Sequence, residues 1–162
     1  RPDRLLDVAA ASVKRGLDLH FLIAGEGELF DASKERAENE NLPITFLGWR
    51  TDIDQIFAAS DIAILTSDNE GIPLTLIQAA FAGIPIVATK VGSIGDIVVD
   101  GETGFLTAAQ AGAMASALSA LVTDEELRFE LGSLGKAHAR RYFSLEKSLA
   151  DHSSLYEDSQ KR

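Results

Sequence analysis

Unbroken apolar runs alternate along this chain with stretches whose apolar positions recur every three or four residues. The runs are LHFLIAG (19 to 25), PITFLGW (43 to 49), IAILTS (62 to 67), IPIVAT (84 to 89) and GFLTA (104 to 108). Short continuous apolar segments of this kind mark strands covered on both faces. The stretches between them predict helices over 3–15, 28–39, 53–59 and 74–82, and after the last run over 109–122, 124–140 and 144–157. Strand and helix alternate, so the expected fold is α/β: a Rossmann-like parallel sheet flanked by helices and joined by right-handed crossovers. In such sheets ligands lie beyond the carboxyl ends of the strands. The loops that reach this edge are 25–28, 48–52, 67–73 and 89–96, and glycines at 25, 27, 48, 71, 92 and 95 let their backbones approach a ligand closely.

The densest of these loops opens SDNEGIPLTLIQAAFAG (67 to 83). Pro73 stands near the start of the helix that follows, where its missing N–H costs nothing. The free N–H groups of Leu74 and Thr75 would then face the cleft, as an anion site for a phosphate or diphosphate. Asp68 or Asn69 acting only as a helix cap is the other reading. Gln78 is the one polar group in an apolar helix, and it either meets a ligand hydroxyl or satisfies a backbone group at the helix edge.

Composition narrows the classes. A chain of 162 residues, 46% apolar and 25% charged, is one ordinary globular domain, and no apolar run approaches the roughly 20 residues of a membrane span. A net charge of −10 argues against nonspecific binding of nucleic acid. The absence of cysteine removes disulfides and thiolate metal sites, which fits a reducing compartment. RPDRLLDVAAASV opens like a helix and not like a signal peptide. GEGELF (25 to 30) is a partial dinucleotide fingerprint with Phe30 in place of the third glycine, so a nicotinamide cofactor is not expected. His20, His138 and His152 show no ligand spacing. TDEEL (123 to 127) reads as a helix start capped by its threonine, and KAHARR (136 to 141) as the solvated basic end of that helix.

Over nearly its whole length the chain resembles the family-four glycosyltransferases, retaining enzymes of the GT-B fold. The match rests on SDNEGIPLTLIQAAFAGIPIVATKVGSIGDIVVDGETGFL, with FLGWRTDIDQIFAASDIAILTS and LHFLIAGEGEL upstream. Glu70 matches the first glutamate of the family's paired motif, Gly83, Pro85, Val87, Ala88 and Thr89 its middle, and Asp100, Gly101, Thr103 and Gly104 its turn. The resemblance implies that Glu70 contacts the donor sugar as the catalytic-site acid. It also implies that the backbone of Gly71, Ile72, Pro73, Leu74 and Thr75 holds sugar hydroxyls and diphosphate. Gln78 falls where a second glutamate binds the nucleotide ribose; a neutral amide accepts the same bonds without charge assistance. Gly48, Trp49 and Arg50 fall where the family brackets the base, while Gly25, Glu26 and Gly27 approach the donor pocket. Asp96 replaces a glutamate often found there.

The resemblance also implies what this chain lacks. The family's domain opens with a strand, a G-R-L loop and a lysine ahead of the helix matched by RPDRLLDVAAA, and its basic residues neutralise the diphosphate. Arg1 stands just after that lysine's position. The lost strand would be central in a doubly wound sheet, leaving the neighbouring edges to rearrange or to pair with another chain, as in a strand-paired homodimer. The expected whole is therefore a nucleotide-sugar donor domain (1–162), lacking its usual first strand, with an N-terminal acceptor domain outside this chain. The substrate is a nucleotide diphosphate sugar, with no resident cofactor and no metal. Asp68-Asn69-Glu70 also reads as an acidic metal motif, which the glycine, proline and helix that follow disfavour. The expected location is cytoplasmic, with the inner membrane face an option through the missing domain or the acceptor. Other readings are a non-catalytic nucleotide-sugar-binding or assembly domain of the same fold, or a fragment of a nucleotide-sugar epimerase.

Overall fold

The structure, a computed structural model, describes residues 1–147 and 149. The chain runs α1 (Pro2–Lys14), β1 (Phe21–Ala24), α2 (Phe30–Asn39), β2 (Ile44–Gly48), α3 (Ile53–Ala58) and β3 (Ala63–Leu65). It continues through α4 (Leu74–Ala82), β4 (Ile86–Thr89), α5 (Ile94–Ile97), β5 (Gly104–Thr107), α6 (Ala111–Thr123) and α7 (Glu125–Tyr142). Every ladder is parallel. Side chains along the central strand alternate between two cores. Ile86 and Ala88 of β4 face one with Leu76, Ala79, Ala80, Ile94 and Ile97, whereas Val87 faces the other with Val8, Ala9, Met114, Leu118 and Leu121. This period of two explains why β4 is buried along its whole length and reads as a continuous apolar run.

Local chemistry sets the helix ends. Pro2 opens α1, where its missing N–H costs nothing, and Asp3 in the first turn and Lys14 in the last complement the helix dipole. Gly83 ends α4 in the left-handed region at φ 84°, and the chain turns at once into Ile84 and Pro85 ahead of β4. Gly132 of α7 crosses here so closely that a Cβ on it would lie 2.1 Å from the Gly83 carbonyl oxygen. The Asp100–Gly104 turn locks β5 in place. Asp100 Oδ1 accepts from the Leu106 N–H at 2.9 Å, and Thr103 Oγ1 from the Val99 N–H at 2.8 Å.

The strands form two sheets, and two expectations need correction. As the resemblance implies for a domain without its first strand, β2 pairs with β1, and β3–β4–β5 form a second sheet, with no ladder between β1 and β3 among the described residues. The strands are also shorter than their apolar runs. They stop where pairing stops, as at Leu65, two residues before the end of its run. Last, the helix start in TDEEL is capped by Asp124, whose Oδ1 accepts from the Leu127 N–H at 2.9 Å. Thr123 instead ends α6 and donates its hydroxyl back to the Ser119 carbonyl. Helix α5 was not expected. Most of the helix expected over 144–157, and His152, lie outside the described residues.

Candidate functional site

The carboxyl ends of β1, β2, β3 and β4 deliver four loops to one edge of the molecule. After β1, residues 23–30 with Pro2, Ser33 and Phe46 line an open cleft of about 430 Å³ that includes Gly25, Glu26 and Gly27. An irregularity in the β1–β2 register between Ile23 and Ala24 lets the Gly25 N–H reach the Gly48 carbonyl at 2.8 Å. Gly48 turns at φ +64°, and the next backbone N–H, of Trp49, is held by Glu26 Oε1 at 3.3 Å. The first two loops are thus tied to each other by the glutamate between the two glycines. The Trp49 ring stands 73% exposed at this edge, free to stack on a planar group. Arg50 pairs with Asp52, which raises its own pKa and lowers that of the aspartate through their hydrogen bond.

The loop after β3 is fixed more tightly. Thr89 Oγ1, at the end of β4, donates to the Ser67 carbonyl at 2.6 Å, and Ser67 Oγ donates to Glu70 Oε1 at 2.6 Å. Gly92 packs behind the Glu70 carbonyl. Asp68 accepts from Arg4 and from Arg1, and the two guanidinium groups, Arg4 first, hold its carboxyl below the ordinary carboxylate range. Arg1 is therefore engaged by Asp68 and Asp3.

Pro73 occupies the N-cap of α4 in an extended conformation with no side-chain cap bond, so neither Asp68 nor Asn69 caps this helix. Its first-turn N–H groups, on Leu74 and Thr75, face the edge where Gly71, Ile72, Leu74 and Thr75 are all exposed. Gln78 is exposed one turn further along, on the same side of α4 as Leu74. Glu70 precedes the helix and lies on the loop, whereas Gln78 lies on α4 itself. Asp96 is exposed on α5, and its carbonyl contacts His138 at 2.8 Å. Among the described residues no three His, Asp or Glu side chains converge as a metal site would require.

Sequence reasoning located Glu70 and its loop but missed the groups that hold it: Arg4, Ser67, Thr89 and Gly92. Their signal is weak, because a hydroxyl at a strand end or a glycine three residues beyond one is common. Arrayed together, these parts can take an anion at the start of α4, a polar ring system beside Glu70 and a flat group against Trp49.

Comparison with known proteins identifies the family of the chain. Residues 1–124 match the family model of the glycosyl transferases of group 1. A D-inositol 3-phosphate glycosyltransferase of Corynebacterium glutamicum is 32% identical over 168 residues, covering 97% of this chain and 40% of that protein. An N-acetyl-alpha-D-glucosaminyl L-malate synthase of Bacillus anthracis is 28% identical over 160 residues, covering 96% of this chain and 42% of that one. The chain thus spans well under half the length of these curated relatives. The crystal structure of TarM superposes with a TM-score of 0.89 at 28% identity, over 96% of this chain and 32% of TarM. The C-terminal domain of a glycosyl transferase group 1 protein of Francisella tularensis matches in fold, with a TM-score of 0.77 at 22% identity over 88% of this chain and 78% of that domain. On these grounds the chain belongs to the glycosyl transferases of group 1.

Proposed function

We propose that this chain is the donor-binding half of a retaining glycosyltransferase, which moves a sugar from a nucleotide diphosphate sugar to an acceptor such as a glycan, a lipid or a small molecule. The observation that carries this reading is the fixed carboxylate of Glu70 immediately before the uncapped amino end of α4. A diphosphate at that end meets free N–H groups and the positive pole of the helix. Glu70 then contacts the donor sugar, and the Gly71–Thr75 backbone its hydroxyls and the diphosphate. The base lies against Trp49, and the Gln78 carboxamide accepts from the ribose. As the sugar departs through an oxocarbenium-like transition state, charge gathers on the diphosphate, and dipoles already aimed at it lower the barrier. TarM has been crystallised with UDP, which supports a nucleotide donor at this fold. The reaction draws on the donor as substrate and on no resident cofactor.

In this reading the acceptor binds between this domain and an N-terminal one, and the facing edges of β1 and β3 take a further strand, in the isolated chain from a second copy. The protein works in the cytoplasm, or at the inner membrane face through the other domain or the acceptor. No helix of the described residues is long and apolar enough to cross a membrane.

The test is calorimetric titration of UDP-, GDP- and ADP-sugars into the intact protein, followed by transfer assays. One donor gives heat; Glu70→Ala lowers kcat/KM by about 2 kcal/mol or more, and Gln78→Glu tightens nucleotide binding. No heat with any donor overturns the donor site, and weaker binding by Gln78→Glu overturns the ribose role. Heat without transfer to any acceptor supports a second reading, a non-catalytic nucleotide-sugar-binding domain. The neutral amide at Gln78 and the carboxylate-bound state of Arg1 favour it.

A further inference from the structure

Arg4 is the only charged residue that is buried among the described residues, its side chain 10% exposed, and the chemistry above makes no use of it. A guanidinium leaves water at a cost unless its donors are met. Here they are met by two groups on one segment. Nη1 donates to the Thr66 carbonyl at 2.6 Å and Nη2 to Asp68 Oδ1 at 2.5 Å. These partners lie on either side of Ser67, the residue whose hydroxyl holds Glu70 and whose carbonyl is held by Thr89. Arg4 thus closes one side of the loop's entry as Thr89 closes the other, and Ser67 has little room to turn.

We propose that Arg4 is a positioning residue for Glu70: its forked bonds to Thr66 and Asp68 set the rotation of Ser67, and through the Ser67 hydroxyl the aim of the Glu70 carboxylate. A planar fork is suited to this task because one side chain reaches a carbonyl and a carboxylate at once, which the point charge of lysine does not reproduce. The catalytic part of the proposal rests on the donor reading above. The structural part stands without it.

The test has two arms. In this chain the carboxyl carbon resonance of Glu70 and the amide resonance of Ser67 report the loop directly, with no ligand present. Arg4→Met moves both, and Arg4→Lys moves them less. Glu70 resonances unchanged in Arg4→Met overturn the proposal. In the intact transferase Arg4→Met lowers kcat about tenfold or more while the donor KM stays within about threefold, and Arg4→Lys recovers part of the loss. An unchanged kcat, or a change in KM alone, overturns the catalytic part. If Arg4→Met does not fold, Asp68→Asn carries the same measurements, since it leaves the bond to Thr66 in place; it moves the Glu70 resonance, and an unmoved one overturns the proposal. Normal transfer by Glu70→Ala sinks the donor reading, while the resonance arm still decides whether Arg4 sets Glu70.

Discussion

Gly92 turns at φ +51° directly behind the loop that carries Glu70, and a Cβ there would lie 1.9 Å from the Glu70 carbonyl oxygen. Both its conformation and its space exclude a side chain. Gly92→Ala is therefore expected to lose more than about 1 kcal/mol in urea denaturation and to displace Glu70. Unchanged stability would place the loop elsewhere. Asp68 gives a second expectation at this scale. Its carboxyl is held low by Arg4 and Arg1, so the stabilisation is complete above the ordinary aspartate pKa and is lost as pH falls through the lower folded-state value. Asp3 beside Arg1 behaves alike. Thermal midpoints should therefore fall below about pH 4, and Asp68→Asn should flatten that part of the profile. An acid limb as steep in Asp68→Asn as in the natural chain would contradict this. The helix start at Pro73 was legible because its signal lies in adjacent residues. Arg4 and Thr89 were not, since their partners stand 62 and 22 residues away.

Among the elements, apolar runs identified all five strands of the described residues, because parallel strands covered by helices admit few polar residues. Their ends were illegible, since pairing and not hydrophobicity decides where a strand stops. Helix α5 escaped because its four residues around Gly95 make barely one turn, too short for a periodic pattern to repeat. The junction of α6 and α7 is instructive. Thr123 and Asp124 both offer a capping oxygen, and the choice falls on Asp124, the residue that leaves the helical region at φ −126° and ψ 98°. It ends one helix and begins the next with a single residue. Asp124→Ala should cost about 1 kcal/mol in chemical denaturation, and Thr123→Ala much less. The reverse order would restore the threonine cap read from the sequence.

For the whole molecule, the layers and the ligand-bearing edge followed from the alternation of strand and helix. The break between β1 and β3 was legible only through the resemblance, because each half is locally a normal parallel ladder. β1 carries an exposed Leu22 and β3 is only partly buried, unlike β4. Such edges should bring two copies of the isolated chain together, so the mass from solution scattering should rise with concentration. A monomer at every concentration would contradict strand pairing. The break also bears on how the native state opens. With no ladder between β1 and β3 among the described residues, β1–β2 can detach while β3–β4–β5 stays closed, giving up only the packing of Phe21 and Ile44 against the Val87 core. Amide protons of Leu22 and Ile23 should then exchange with deuterium through a partial opening well below the global free energy, and those of Val87 and Ala88 only through complete unfolding. This domain should behave as two cooperative units within one fold.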